Sequence, residues 1–154
     1  MSSASNNTEE HNGTSWSDGN DMLVGKRSHA ATGTQTAALA IGSQGPSTNC
    51  QEYDGTSWTT GGSLSGAGRN AHEAFGTLAT AITMGGHGIL ATAEQYDGSS
   101  WSAIDDMPAG RKIFATFGSA TAGIAAGGQV AAGGGTTITY KYTAALTART
   151  LSNS

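Results

Sequence analysis

The sequence predicts an all-β chain of β-propeller blades, each of four short antiparallel strands, with about 3 to 3.5 blades per chain. Three observations predict this. First, His11-Asn12-Gly13-Thr14-Ser15-Trp16, Tyr53-Asp54-Gly55-Thr56-Ser57-Trp58 and Tyr96-Asp97-Gly98-Ser99-Ser100-Trp101 are near copies, with tryptophans 42 and 43 residues apart. Second, Gly33, Gly76 and Gly118 follow the same period, each with another glycine nine residues later, at Gly42, Gly85 and Gly127. Two markers with one period of about 43 residues select a repeat architecture. Third, Asn-Gly or Asp-Gly between strand-type residues is the strongest short hairpin signal, and a helical reading would put a costly glycine every few residues.

The elements follow in order. A polar tail is expected over residues 1–7, then one repeat domain over 8–149 and a C-terminal tail over 150–154. Within the domain, an outer hairpin (8–17) precedes blades at about 26–60, 68–103 and 111–149. Inner strand pairs are expected at 28–33 with 36–42, 71–76 with 79–85, and 113–118 with 121–127. Their turns would fall at Gly33-Thr34-Gln35, Gly76-Thr77-Leu78 and Gly118-Ser119-Ala120. Small residues let inner strands crowd together, while Trp16, Trp58, Trp101, Tyr53 and Tyr96 supply apolar area to the seam between blades.

The third blade is degenerate. Residues 137–142 could form a strand, but they carry neither Asp-Gly nor Trp. Either the N-terminal hairpin completes the third blade, or residues 136–149 supply a non-consensus outer half. Three and a half blades leave exposed edges, which folded proteins usually cover. The expectation is therefore a homo-oligomer in which copies exchange N-terminal hairpins, two copies giving six blades.

Composition narrows the function classes. Seven basic and eleven acidic residues give a net charge of −4, too few cations for a nucleic-acid face. The polar start has no signal-peptide core, and no run is long and apolar enough for a membrane helix. A single cysteine, Cys50, makes no internal disulfide. His11, His29, His72 and His87 lack metal-ligand spacing, so neither a metal nor a cofactor is expected. His29 and His72 share one repeat position with Phe114, which reads as packing. Gly25-Lys26-Arg27 lacks the phosphate-loop spacing and hydroxyl, and Asp105-Asp106 lacks the alternating oxygens of a calcium loop. No catalytic residues are assigned. Lys26, Arg69 and Arg111 recur seven residues before each landmark glycine. They read either as structural donors to carbonyls or a carboxylate between blades, or, with His87 of Gly-Gly-His-Gly, as an interaction rim.

Gly85-Gly86 followed by Tyr96 and Trp101, Gly42 followed by Tyr53 and Trp58, and the linker Asp106-Met107-Pro108-Ala109-Gly110-Arg111 resemble the Kelch-repeat family. The compressed Tyr-Asp-Gly-Thr-Ser-Trp hairpin departs from most of that family. Together with Gly33-Thr34-Gln35-Thr36-Ala37-Ala38-Leu39-Ala40, it is similar to short Kelch-like proteins of marine bacteriophages. That resemblance implies a non-enzymatic virion surface protein, a capsid decoration or tail component. Its partners would be other virion proteins or a host surface glycan. A lectin-like propeller and an intracellular interaction module are the alternatives.

Overall fold

A computed structural model describes residues 3–131 and 134–143. All its strands pair antiparallel. A leading hairpin, β1 (Glu9–His11) with β2 (Trp16–Asp18), stands as a two-stranded sheet. Blade 1 is the four-stranded meander β3 (Ala30–Thr34), β4 (Ala37–Ile41), β5 (Cys50–Tyr53) and β6 (Trp58–Thr60). Blade 2 repeats it with β7 (Glu73–Thr77), β8 (Thr80–Met84), β9 (Ala93–Tyr96) and β10 (Trp101–Ile104). Blade 3 has β11 (Ala115–Ser119), β12 (Ala122–Ala126) and β13 (Thr139–Thr143).

The register explains the landmark glycines and corrects their expected role. Thr34 pairs with Ala37, Thr77 with Thr80 and Ser119 with Ala122, so each turn has two residues and starts two residues later than predicted. Gly33, Gly76 and Gly118 lie inside the strands, with φ of +122°, +109° and +127°. A Cβ at Gly76 would stand 2.3 Å from the Thr80 carbonyl oxygen, and the other two are as tight. These positions need glycine for conformation and for close approach of the paired strand. The outer hairpins also differ from a two-residue turn. Tyr53 pairs with Trp58 across a four-residue loop, in which Asp54 Oδ1 accepts from the amides of Thr56 (2.8 Å) and Ser57 (2.7 Å). Asp97 and Asn12 do the same in their hairpins. The side chain takes two donors that a tight turn would leave to water.

Blades meet through a main-chain ladder near the inner strands. The Ala71 amide donates to the Ser28 carbonyl (2.9 Å) and the Ile113 amide to the Ala71 carbonyl (3.2 Å). All three residues adopt positive φ, 52°, 50° and 52°, conformations that non-glycine residues hold only when their surroundings impose them. Between blades 1 and 2 lies a core of Leu39, Ile41, Cys50, Leu64, Ala81, Tyr96 and Trp101. Between blades 2 and 3 lies a second, with Phe75, Ile82, Met84, Met107 and Phe114.

Two boundaries move. Residues 5 and 6 belong to the fold: the Lys26 amide donates to the Ser5 carbonyl and the Met22 amide to the Asn6 carbonyl. Blade 1 shows the same steps at Arg69–Ser47 and Leu64–Thr48. In the third blade β13, from residues 136–149, occupies the place beside β12, so the chain's own leading hairpin does not close it. Residues 144–149 and the tail at 150–154 lie outside the described residues. Replacing Gly76 with alanine should lower unfolding free energy by about 1–3 kcal/mol from backbone strain, before any clash is counted, as read by urea denaturation.

Candidate functional site

The recurring cations are internal staples. Lys26 Nζ donates to the carbonyls of Gly42 and Asn49, both at 2.8 Å. Arg69 Nη1 donates to Gly85 and Thr92, both at 2.9 Å, and Arg111 Nη1 to Gly127 (2.8 Å) and Ile138 (3.2 Å). The acceptors are equivalent in the three blades: the glycine that ends the second strand, and the residue before the third. There the chain leaves one strand and enters the next with carbonyls aimed inward, so a donor must meet them. All three cations are buried, Arg111 at 0 % exposure, which corrects their reading as a rim. They bind carbonyls of one blade rather than bridging two. Only His87 of that set is exposed.

The register puts a different companion beside each cation at one repeat position, Gln51, Glu94 and Tyr140, opposite Ala40, Thr83 and Ala125. Glu94 pairs with Arg69 at 3.1 Å and accepts from the Ser65 amide and hydroxyl, both at 2.7 Å. Burial raises its pKa, but the bonds from Ser65 and Arg69 outweigh that and hold it low. Tyr140 lies under the Arg111 guanidinium at 4.4 Å from ring centroid to Cζ. Gln51 instead exchanges bonds with the Val24 main chain, and burial lowers the Lys26 pKa.

The outer seam is a tyrosine–glutamate relay between neighbours. Tyr53 donates to Glu10 and Tyr96 to Glu52, and both tyrosines are buried. The Glu10 bond first, and burial first at Tyr96 with Glu52 next, push both phenols up to about 12. Each tyrosine also meets its hairpin tryptophan at a centroid separation of 4.9 or 5.0 Å. Trp101 is 5 % exposed, and Trp58 is half-buried with its indole N–H donating to Thr8 Oγ1 (2.9 Å). Trp16 is 67 % exposed, which corrects its assignment to a seam: no preceding blade stands beside it in one chain. Cys50 is fully buried, and burial pushes its thiol pKa up.

Sequence reasoning missed Glu10, Glu52, Glu94 and Tyr142. The spacing of Tyr142 was hidden by a longer preceding loop, yet it pairs with Gly123, where Tyr53 pairs with Ala38. It packs on Phe75 at 6.0 Å, and a Cβ at Gly123 would stand 2.4 Å from that phenylalanine ring. Beside Tyr142 opens a cavity of about 260 Å³ lined by Met84, Ala93, Met107, Ala125 and Tyr140, among others. Among the described residues, no three His, Cys, Asp or Glu side chains gather in one place. No helix there is long and apolar enough to cross a membrane.

No family model and no curated protein matches the sequence. A solved structure of a protein named YjhT is similar in fold, with a TM-score of 0.72 and 16 % identity over 86 % of this chain. The match covers 47 % of YjhT, so the chain spans about half the length of that neighbour.

Arg69→Met should cost about 3–5 kcal/mol in denaturant unfolding, because Glu94 stays buried without its cation, whereas Arg69→Lys should cost less, since Lys26 fills the equivalent place. Trp101→Ala should cost about 3–5 kcal/mol as a core truncation. Acid should also destabilise the fold. Burial, then the charge of Arg69, hold the His72 pKa down to about 3 from 6.5. The unfolded chain therefore binds the proton first, and stability falls as pH drops from 6.5 towards 3. His72→Phe, the choice made at Phe114, should flatten the pH dependence of the melting temperature in that window.

Proposed function

We propose that the chain is a non-enzymatic structural and attachment module of Kelch type, carried on a bacteriophage virion as a capsid decoration or tail component. The observation that carries this reading is the internal use of charge: in each blade the repeated cation is turned onto its own backbone carbonyls. A repeat built this way is a rigid wedge whose outward features are short turns, tied by Asp54, Asp97 and Asn12 to their own amides. Wedges of this kind present shape and apolar faces, which suits contact with other proteins. Gly85 and Gly86, at φ of +70° and +126°, form the strand-end pair on which the Kelch likeness rests.

The experiment is to purify particles from the phage source by density gradient and count this protein's peptides against the major capsid protein. A fixed, stoichiometric ratio that survives a salt wash is the expected result. Recovery only in the soluble fraction of infected cells, with none in particles, overturns the virion assignment.

A further inference from the structure

We propose that a second copy of this chain docks its leading hairpin, β1 and β2, as the outer half of blade 3, with Trp16 entering the cavity at Met84, Ala93 and Met107 and Glu9 reaching Arg111. The inference rests on the blade architecture alone and is independent of where the protein is displayed.

The repeat register dictates the fit. In blade 2 the indole of Trp101 belongs to the cluster holding Ile41, Cys50 and Leu64. One repeat later the equivalents of those three residues are Met84, Ala93 and Met107, and they line the cavity described above. The far wall, Tyr140 to Thr143, belongs to β13; with that strand displaced, Met84, Ala93 and Met107 form the equivalent of the floor on which Trp101 rests one repeat earlier. The 154 residues hold three tryptophans, Trp16, Trp58 and Trp101. Trp58 and Trp101 already lie in their own blades, while Trp16 is 67 % exposed. A slot that no described residue fills and an unseated indole at the equivalent repeat position are complementary parts of one seam.

Charge gives a second, independent match. Glu9 pairs with Asp18 in β1–β2 as Glu94 pairs with Ala103 in blade 2, so Glu9 is the repeat equivalent of Glu94. Glu94 holds Arg69, and Glu9 is exposed in a single chain. Arg111, the equivalent of Arg69, has the face of Tyr140 where Arg69 has a carboxylate. A hairpin laid along β12 from another copy places Glu9 at that position and displaces β13, which has the same register but lacks the carboxylate and the tryptophan.

The inner strands agree. The amide-to-carbonyl ladder runs Ile113 to Ala71 to Ser28, so its continuation joins the Ser28 amide of one copy to the Ile113 carbonyl of the other. Ile113 is 67 % exposed and Phe117 54 %, although Phe75, the equivalent of Phe117, is 3 % exposed beneath blade 3. Blade 3 and the segment around Ser28 thus carry complementary faces of an interface that already exists twice inside the chain.

The test is native mass spectrometry with analytical ultracentrifugation of the full chain at micromolar concentration. Wild type should run as two copies of the 15.4 kDa chain. Trp16→Ala and Glu9→Lys change side chains exposed in the single chain, so each should keep its far-UV circular dichroism and weaken association by about tenfold or more. A wild-type monomer overturns the proposal, as does a dimer unaffected by both variants, or a trimer or open polymer. Because the readout is mass, its failure is separate from absence of the protein in particles.

Discussion

Each blade depends on a buried cation meeting carbonyls at the break between its second and third strands. The glycine there turns the chain in a left-handed conformation, with φ of +67°, +70° and +68° in the three blades, and its carbonyl points into the interior. An inward carbonyl without a donor would carry a desolvation cost of about 1–3 kcal/mol, and each blade has two. The donor comes from the linker before the first strand, so one side chain ties the entry of a blade to its midpoint. Lysine suffices in blade 1, where its three donors meet the Gly42 and Asn49 carbonyls at 2.8 Å and Asn49 Oδ1 at 3.0 Å. Arginine in blade 2 has donors to spare for Glu94 as well.

That constraint explains what was legible in the sequence. The period, the strand count and the hairpins could be read from Trp16, Trp58, Trp101 and the landmark glycines because each is a local necessity repeated three times. The sense of the cations could not be read, since a recurring basic residue looks the same facing water or facing a carbonyl. Trp16 misled for the opposite reason. Its turn and tryptophan follow the repeat, with His11-Asn12 in place of Tyr-Asp, but burial depends on a neighbouring blade, and near-identical hairpins carry no information about which of them lacks one. Tyr142 was obscured because the loop before β13 breaks the period while the pairing with Gly123 preserves the register.

The site residues that sequence reasoning missed are mostly carboxylates. Glu10 and Glu52 matter through contacts 43 and 44 residues away, at Tyr53 and Tyr96. A pair one repeat apart is invisible to windowed patterns, although it follows once the repeat is treated as a stack in which each unit touches the next. Where the stack ends, the same residues persist with no counterpart, and the exposed Phe117 beside the buried Phe75 measures what the missing neighbour would cover.

Cys50 carries a last consequence. Its sulfur sits in the core between blades 1 and 2, fully shielded, with an ionisation driven upward by its surroundings. Thiolate is the species that attacks disulfides and oxidants, and inaccessibility slows both reactions further. In the folded molecule the Cys50 thiol is thereby shielded from both reactions.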